Sequence, residues 1–182
     1  MIANCPTDAE ITAKVIDIIE EAIDNDGPLE PDVPMMANLG FDSLDMIETG
    51  FALQEFFEFE FSDKDALEEL DKALGAGVVI AEGKLTPLGR ELLLERMPEL
   101  RKLDLPKELT PATLQQYYTI ETFARLIAEF YRAAPETCPQ TGEPVKVVDF
   151  KIVAGENNHP VPVPSGDTLI DNWVGLTAAS RS

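Results

Sequence analysis

Between Thr119 and Arg132 the residues Ile120, Phe123, Ala124, Ile127, Phe130 and Tyr131 recur at helical spacing. On an α-helix that spacing gathers them on one apolar face, which has to be buried against other elements. A chain with such a helix must supply others to cover it, and two segments read as suitable. Thr7-Asp8-Ala9-Glu10 has the form of a capping box, with Thr7 as N-cap and Glu10 answering it. Ile11, Val15, Ile18, Ala22 and Ile23 then repeat with helical period. The pattern stops at Asp24-Asn25-Asp26-Gly27-Pro28, a breaker. A calcium loop is excluded there. Counting back from Gly27 puts Ala22 at the first ligand position, and no Glu stands at the last.

The second segment follows a proline-rich loop (Pro28, Pro31, Pro34) with apolar anchors Val33, Met35, Met36 and Leu39. Asp42 is a good N-cap, and Asp45 sits in the first turn, where the helix dipole favours negative charge. The helix is expected to run to about Phe57 with two apolar rows. Leu44, Ile47 and Phe51 form one, and Met46, Gly50, Leu53 and Phe57 the other. One row can face a core while the other stays open to a partner.

The remaining elements are shorter. Phe57-Glu58-Phe59-Glu60-Phe61 reads as a helix end running into a structured turn. Leu67, Leu70 and Leu74 mark a third helix closed by Gly75 and Gly77. Val78 to Leu85 suits a small hairpin. Thr86-Pro87 and Thr110-Pro111 each place a capping threonine before a proline at the first helical position. From Pro135 prolines punctuate the chain, and Val145, Val147, Val148, Phe150, Ile152 and Val153 read as one strand. It would pair with the 78–85 hairpin or with a segment near Val161-Pro162-Val163. Asp167 to Leu176 would dock on the body, and the last residues are expected to be disordered.

At 182 residues this is one domain, or one compact domain with appendages. With 34 acidic and 14 basic residues the formal net charge is −20. That argues against nucleic acid, and equally against an anionic membrane surface, because both need clustered Lys and Arg. It favours fast encounter with basic protein surfaces. Cys5 and Cys138 allow one disulfide at most, and the single histidine, His159, has no second ligand beside it, so no zinc site is expected. The opening MIANCPTDAE has neither the basic nor the apolar region of a signal peptide, and no stretch approaches membrane-spanning length. The expectation is a soluble cytoplasmic protein.

The stretch Leu39-Gly40-Phe41-Asp42-Ser43-Leu44-Asp45-Met46-Ile47-Glu48 carries the chemistry. A serine between two aspartates lacks the base that a catalytic nucleophile needs. Asp42-Ser43-Leu44 after Leu39-Gly40, at the start of an amphipathic helix, resembles the acyl carrier protein family. The resemblance covers residues 7–74 and resumes over 119–132, where the family's terminal helix would fall. It implies that Ser43 is esterified by the phosphate of 4′-phosphopantetheine, delivered from coenzyme A by a phosphopantetheinyl transferase. A helix N-terminus, with unpaired N–H groups and a positive dipole end, suits a phosphodiester. Asp42 and Leu44 flank that attachment point. The arm's thiol would carry acyl chains as thioesters, and the chain itself would catalyse nothing. Asp45, Glu48 and Glu55 would meet basic surfaces of ketosynthase, acyltransferase or acyl-ligase enzymes, while Leu44, Ile47 and Phe51 pack against them.

The fold class implied is mainly α: a four-helix carrier bundle with an inserted helical segment and a C-terminal extension with some β character. The carrier domain would span 1–134, with 73–118 inserted, and the extension 135–182. Thr49 and Gly50 stand where the family usually has larger apolar residues lining its acyl cavity. Either the cavity is enlarged for a bulky or long chain, or another segment packs against the helix backbone; the extra segments favour the second. The added segments suggest specialised fatty acid, lipid or polyketide biosynthesis. From a different class, the alternative is a non-enzymatic interaction subunit that holds a partner through the acidic second helix.

Overall fold

The structure, a computed structural model, describes residues 2–23 and 27–181. Residues 24–26, the acidic part of the expected breaker and of the excluded calcium loop, lie outside the described residues.

Three long helices share the first core. α1 (Asp8–Ala22) opens with the capping box expected of Thr7, whose Oγ1 accepts from Glu10 N at 3.3 Å while Thr7 N donates to Glu10 Oε2 at 2.8 Å. α3 (Ser43–Phe57) and α7 (Ile120–Ala133) both pack on α1. Buried Ile11, Val15, Ile18 and Ile19 meet Met46, Leu53 and Phe57 from α3 and the whole apolar face of α7. Ile19 takes the inward place assigned above to Ala22, which is exposed, because α1 ends there and no element covers it. The ion pair of Arg132 with Asp8 at 3.3 Å puts the C-terminal end of α7 beside the start of α1. The loop before α3 is less open than the sequence suggests, since Met35–Asn38 forms a single helical turn, α2, with Met35 fully buried.

A second core forms beside the first. α4 (Ala66–Leu74) is capped by Asp65 and contributes Leu67 and Leu70. The expected hairpin follows as β1 (Ile80–Ala81) and β2 (Lys84–Leu85). α5 (Pro87–Arg96) and the short α6 (Pro111–Leu114) start at Thr86 and Thr110, whose hydroxyls accept from Gly89 N and Thr113 N. Gly89 is obligatory, because a Cβ there would run into the Val79 carbonyl. Leu92, Leu93, Met97, Leu100, Leu109 and Leu114 fill this core. Four side chains couple it to α7: Arg125 binds Glu99 at 3.0 Å and also Glu129, and Glu129 binds Arg96 at 3.1 Å.

The C-terminal region corrects two expectations. Residues 145–153 are not one strand but a hairpin, β3 (Val145–Val148) and β4 (Lys151–Ala154), in register Val148↔Lys151. The turn residues Asp149 and Phe150 both have positive φ, 48° and 64°, the geometry that matches strand twist in a two-residue loop. Phe150 accepts that conformation because its ring packs on Phe56 and Phe57, with centroids 6.1 and 6.0 Å away. β5 (His159–Pro160) adds to β4, and the sheet does not join the β1–β2 hairpin. Asp167 to Leu176 docks as expected, but the last residues, expected to be disordered, continue the same helix, α8 (Gly166–Ser180), which packs along α4. Gly166 N donates to Glu60 O at 2.6 Å, and Lys64 pairs with Asp171 at 2.8 Å. Trp173 of α8 lies under Arg96, 4.8 Å from guanidinium carbon to ring centroid.

Candidate functional site

The site is the entry to α3, and local rules position it. Gly40, at φ +82°, ends the α2 turn in the left-handed region, a role glycine fills without strain. Phe41 then plunges into the core at 5% exposure, and its N–H donates to Met35 O at 3.2 Å. This wedge fixes where α3 begins. Asp42 Oδ1 accepts from Leu44 N at 2.8 Å and Asp45 N at 3.0 Å, while Asp42 N donates to Asp45 Oδ2 at 2.8 Å. The two aspartates therefore form a capping box around the serine.

Ser43 sits at the first helical position, exposed, with no hydrogen-bond partner for its hydroxyl among the described residues. The helix end is less of an anion cradle than the sequence implies. Its Leu44 and Asp45 N–H groups, expected to be free, are satisfied by Asp42. No base serves the serine either, since the single histidine, His159, bonds Gln140 Oε1 at 3.0 Å in the extension. An exposed, unbonded hydroxyl at a rigid helix start fits esterification by an outside enzyme and does not fit self-activated nucleophilic chemistry.

The two rows of α3 separate as expected except at Gly50, which is half-buried while Thr49 takes the buried place between Met46 and Leu53. Leu44, Ile47 and Phe51 are 59, 53 and 66% exposed, whereas Met46, Leu53 and Phe57 are buried. Among the described residues no ion pair engages Asp42, Asp45, Glu48 or Glu55. An apolar stripe with unpaired carboxylates thus runs down the helix from Ser43.

Gly50 corrects another expectation. Among the described residues no segment packs against its backbone; a Cβ there would meet nothing within 4 Å. Thr49, its neighbour, is fully buried, and its Oγ1 has no hydrogen-bond partner. Sequence alone flags Thr49 only as a polar residue at a core position and does not reveal that its hydroxyl is orphaned.

Elsewhere, Cys5 and Cys138 are both free thiols. Burial pushes the Cys5 thiol up, and a hydrogen bond with Thr141 lowers that of Cys138. Among the described residues no cluster of His, Cys, Asp and Glu could hold a metal ion, and no helix is long and apolar enough to cross a membrane.

Residues 13–71 match the family model described as "Phosphopantetheine attachment site". The chain is 37% identical over 59 residues to a protein named "Acyl carrier protein" from Syntrophobacter fumaroxidans, an alignment that covers 32% of this chain and 73% of that relative. No solved structure matches the chain. The family match ends at residue 71, just before the segment 73–118 read as an insertion.

Proposed function

From the premise that this chain belongs to the acyl carrier protein family, we propose that Ser43 is its attachment point. It is a carrier protein whose prosthetic group is covalent 4′-phosphopantetheine. The arm's terminal thiol, when present, holds acyl groups as thioesters. The chain's own residues present that arm. Asp42 and Asp45 fix the helix start so that the Ser43 hydroxyl faces solvent, and Phe41 anchors it to the core. One observation carries the reading: an exposed, unbonded serine hydroxyl at the head of an unpaired acidic and apolar stripe.

That stripe is the docking face. Leu44, Ile47 and Phe51 supply apolar contact, and Asp45, Glu48 and Glu55 steer basic partner surfaces into register. The partners are the transferase first, then ketosynthase, acyltransferase or acyl-ligase type enzymes. The chain is their substrate and shuttle and has no catalytic residue of its own. Apart from Leu67 and Leu70 of α4, the second core and the C-terminal sheet lie outside the matched region, which favours specialised fatty acid, lipid or polyketide synthesis over bulk fatty acid elongation. The test is acylation of the loaded chain by purified enzymes of both kinds. Normal service in bulk elongation, with no acylation by any specialised enzyme, would sink the pathway assignment.

A second reading rests on the stripe alone. Leu44, Ile47 and Phe51 can hold a partner whether or not Ser43 is modified, which would make the chain an interaction subunit. Stable copurification of one partner with both the wild-type chain and Ser43→Ala would favour that reading.

A further inference from the structure

Thr49 carries the only buried side-chain polar atom among the described residues that lacks a hydrogen-bond partner. Its exposure is 0%. Buried hydroxyls are nearly always bonded, so an orphan asks what completes it. Its place in the helix suggests the answer. Gly50 lies two turns below Ser43, so the two share nearly the same helix face, about 10 Å apart along the axis. There the helix has no side chain, and a Cβ would meet nothing within 4 Å. Thr49 is turned from Gly50 toward the buried side, between Met46 and Leu53 in the row that faces the core. Gly50 thus leaves the helix surface open on the face that carries Ser43, and Thr49, the residue before it, holds an unsatisfied hydroxyl on the inner side of the same turn.

We infer that Thr49 is a specificity residue that selects acyl cargo with an oxygen substituent, a hydroxyacyl or oxoacyl chain, over the plain saturated chain. The threonine hydroxyl can donate to a keto oxygen, or donate to and accept from a hydroxyl. A saturated chain entering by Gly50 would leave the hydroxyl orphaned, whereas an oxygenated chain satisfies it. A site with a buried polar group discriminates strongly against ligands that cannot pair with it. This inference rests on the carrier reading of Ser43 and adds to it the chemical class of the cargo.

The test uses the full chain loaded from octanoyl-coenzyme A or from either enantiomer of 3-hydroxyoctanoyl-coenzyme A by a broad-specificity phosphopantetheinyl transferase. Intact mass reports loading, and thermal melting reports whether the cargo is held. The wild-type chain with one 3-hydroxyoctanoyl enantiomer should melt about 2–4 °C above the octanoyl form, the shift one ordinary hydrogen bond gives in a chain of this size. Thr49→Val keeps the shape and removes the hydroxyl. It should load equally, erase that difference, and leave the unloaded chain no less stable. Thr49→Ser should keep the difference. Equal melting of all wild-type forms, or a difference that survives in Thr49→Val, overturns the inference and leaves the carrier reading intact. No mass gain in any form overturns the carrier reading, and the inference falls with it.

Discussion

The Tyr131 hydroxyl donates a 2.6 Å hydrogen bond to the Phe150 carbonyl, joining the end of α7 to the turn of the C-terminal hairpin. Around it Phe56, Phe57, Phe59 and Phe130 interlock, with Phe59 stacked 4.6 Å from Phe130. The extension is thus fastened to the end of α3 remote from Ser43. Removing the bond with Tyr131→Phe should cost about 1–2 kcal/mol, because the Phe150 carbonyl is left without its partner. Equilibrium denaturation measures this.

The same residue predicts a pH dependence. Burial raises the Tyr131 phenol well above its ordinary value. In the unfolded chain tyrosine ionises near about 10. The folded state therefore holds the proton more tightly. Its contribution is fully present below about pH 10 and is lost as pH rises from there through the higher folded value. Tyr131→Phe should flatten the alkaline fall in stability relative to wild type. Parallel curves for the two chains would contradict the assignment.

The group Arg96, Glu129, Arg125 and Glu99 joins the second core to the first, and all four side chains are largely buried. Glu129→Ala takes the carboxylate from Arg96 and leaves Arg125 with Glu99 alone. It should cost about 3–5 kcal/mol, the usual range for breaking a buried pair from one side. A loss under about 1 kcal/mol, typical of surface pairs, would mean that solvent reaches the group.

Gly50→Ala should stabilise the unloaded chain by about 1 kcal/mol, since alanine favours the helix and its Cβ has open space. A destabilised variant would restore the close-packing explanation that the structure rejects.

Much of this architecture is legible in the sequence because its signals are local. Thr7, Asp42, Thr86 and Thr110 each cap a helix as their neighbours require. The two rows of α3 follow from helical period alone, and so does the buried face of α7. What escaped depends on distant parts of the chain. The Asp149-Phe150 turn lacks the glycine that announces such turns, and its conformation is held by rings from α3 and the Tyr131 hydroxyl. That α8 runs on to Ser180 was not legible, because the contacts that hold the helix, with α4 and with Glu60 to Lys64, lie about a hundred residues away. At the site, Ser43 and its capping aspartates were legible. The saturation of the helix-end donors follows from Asp42 as N-cap and runs against the free N–H groups expected for a phosphodiester.

The proposed docking role of the stripe makes a prediction that separates recognition from stability. Ile47→Ala with Phe51→Ala should leave the melting temperature nearly unchanged, since both side chains are more than half exposed. The transferase should then load the variant at least about tenfold more slowly, the loss expected when central apolar contacts of an interface are truncated. Glu48→Lys should slow loading mainly at low ionic strength, where steering is strongest.

The central claim is that Ser43 bears the prosthetic group. The most direct measurement is the intact mass of the chain, checked to be folded and unmodified, before and after incubation with coenzyme A and a broad-specificity phosphopantetheinyl transferase. Fragmentation then locates any added mass. The account predicts a gain of one phosphopantetheine on Ser43 and none in Ser43→Ala. A folded wild-type chain that gains nothing, or a gain that persists in Ser43→Ala, would contradict it.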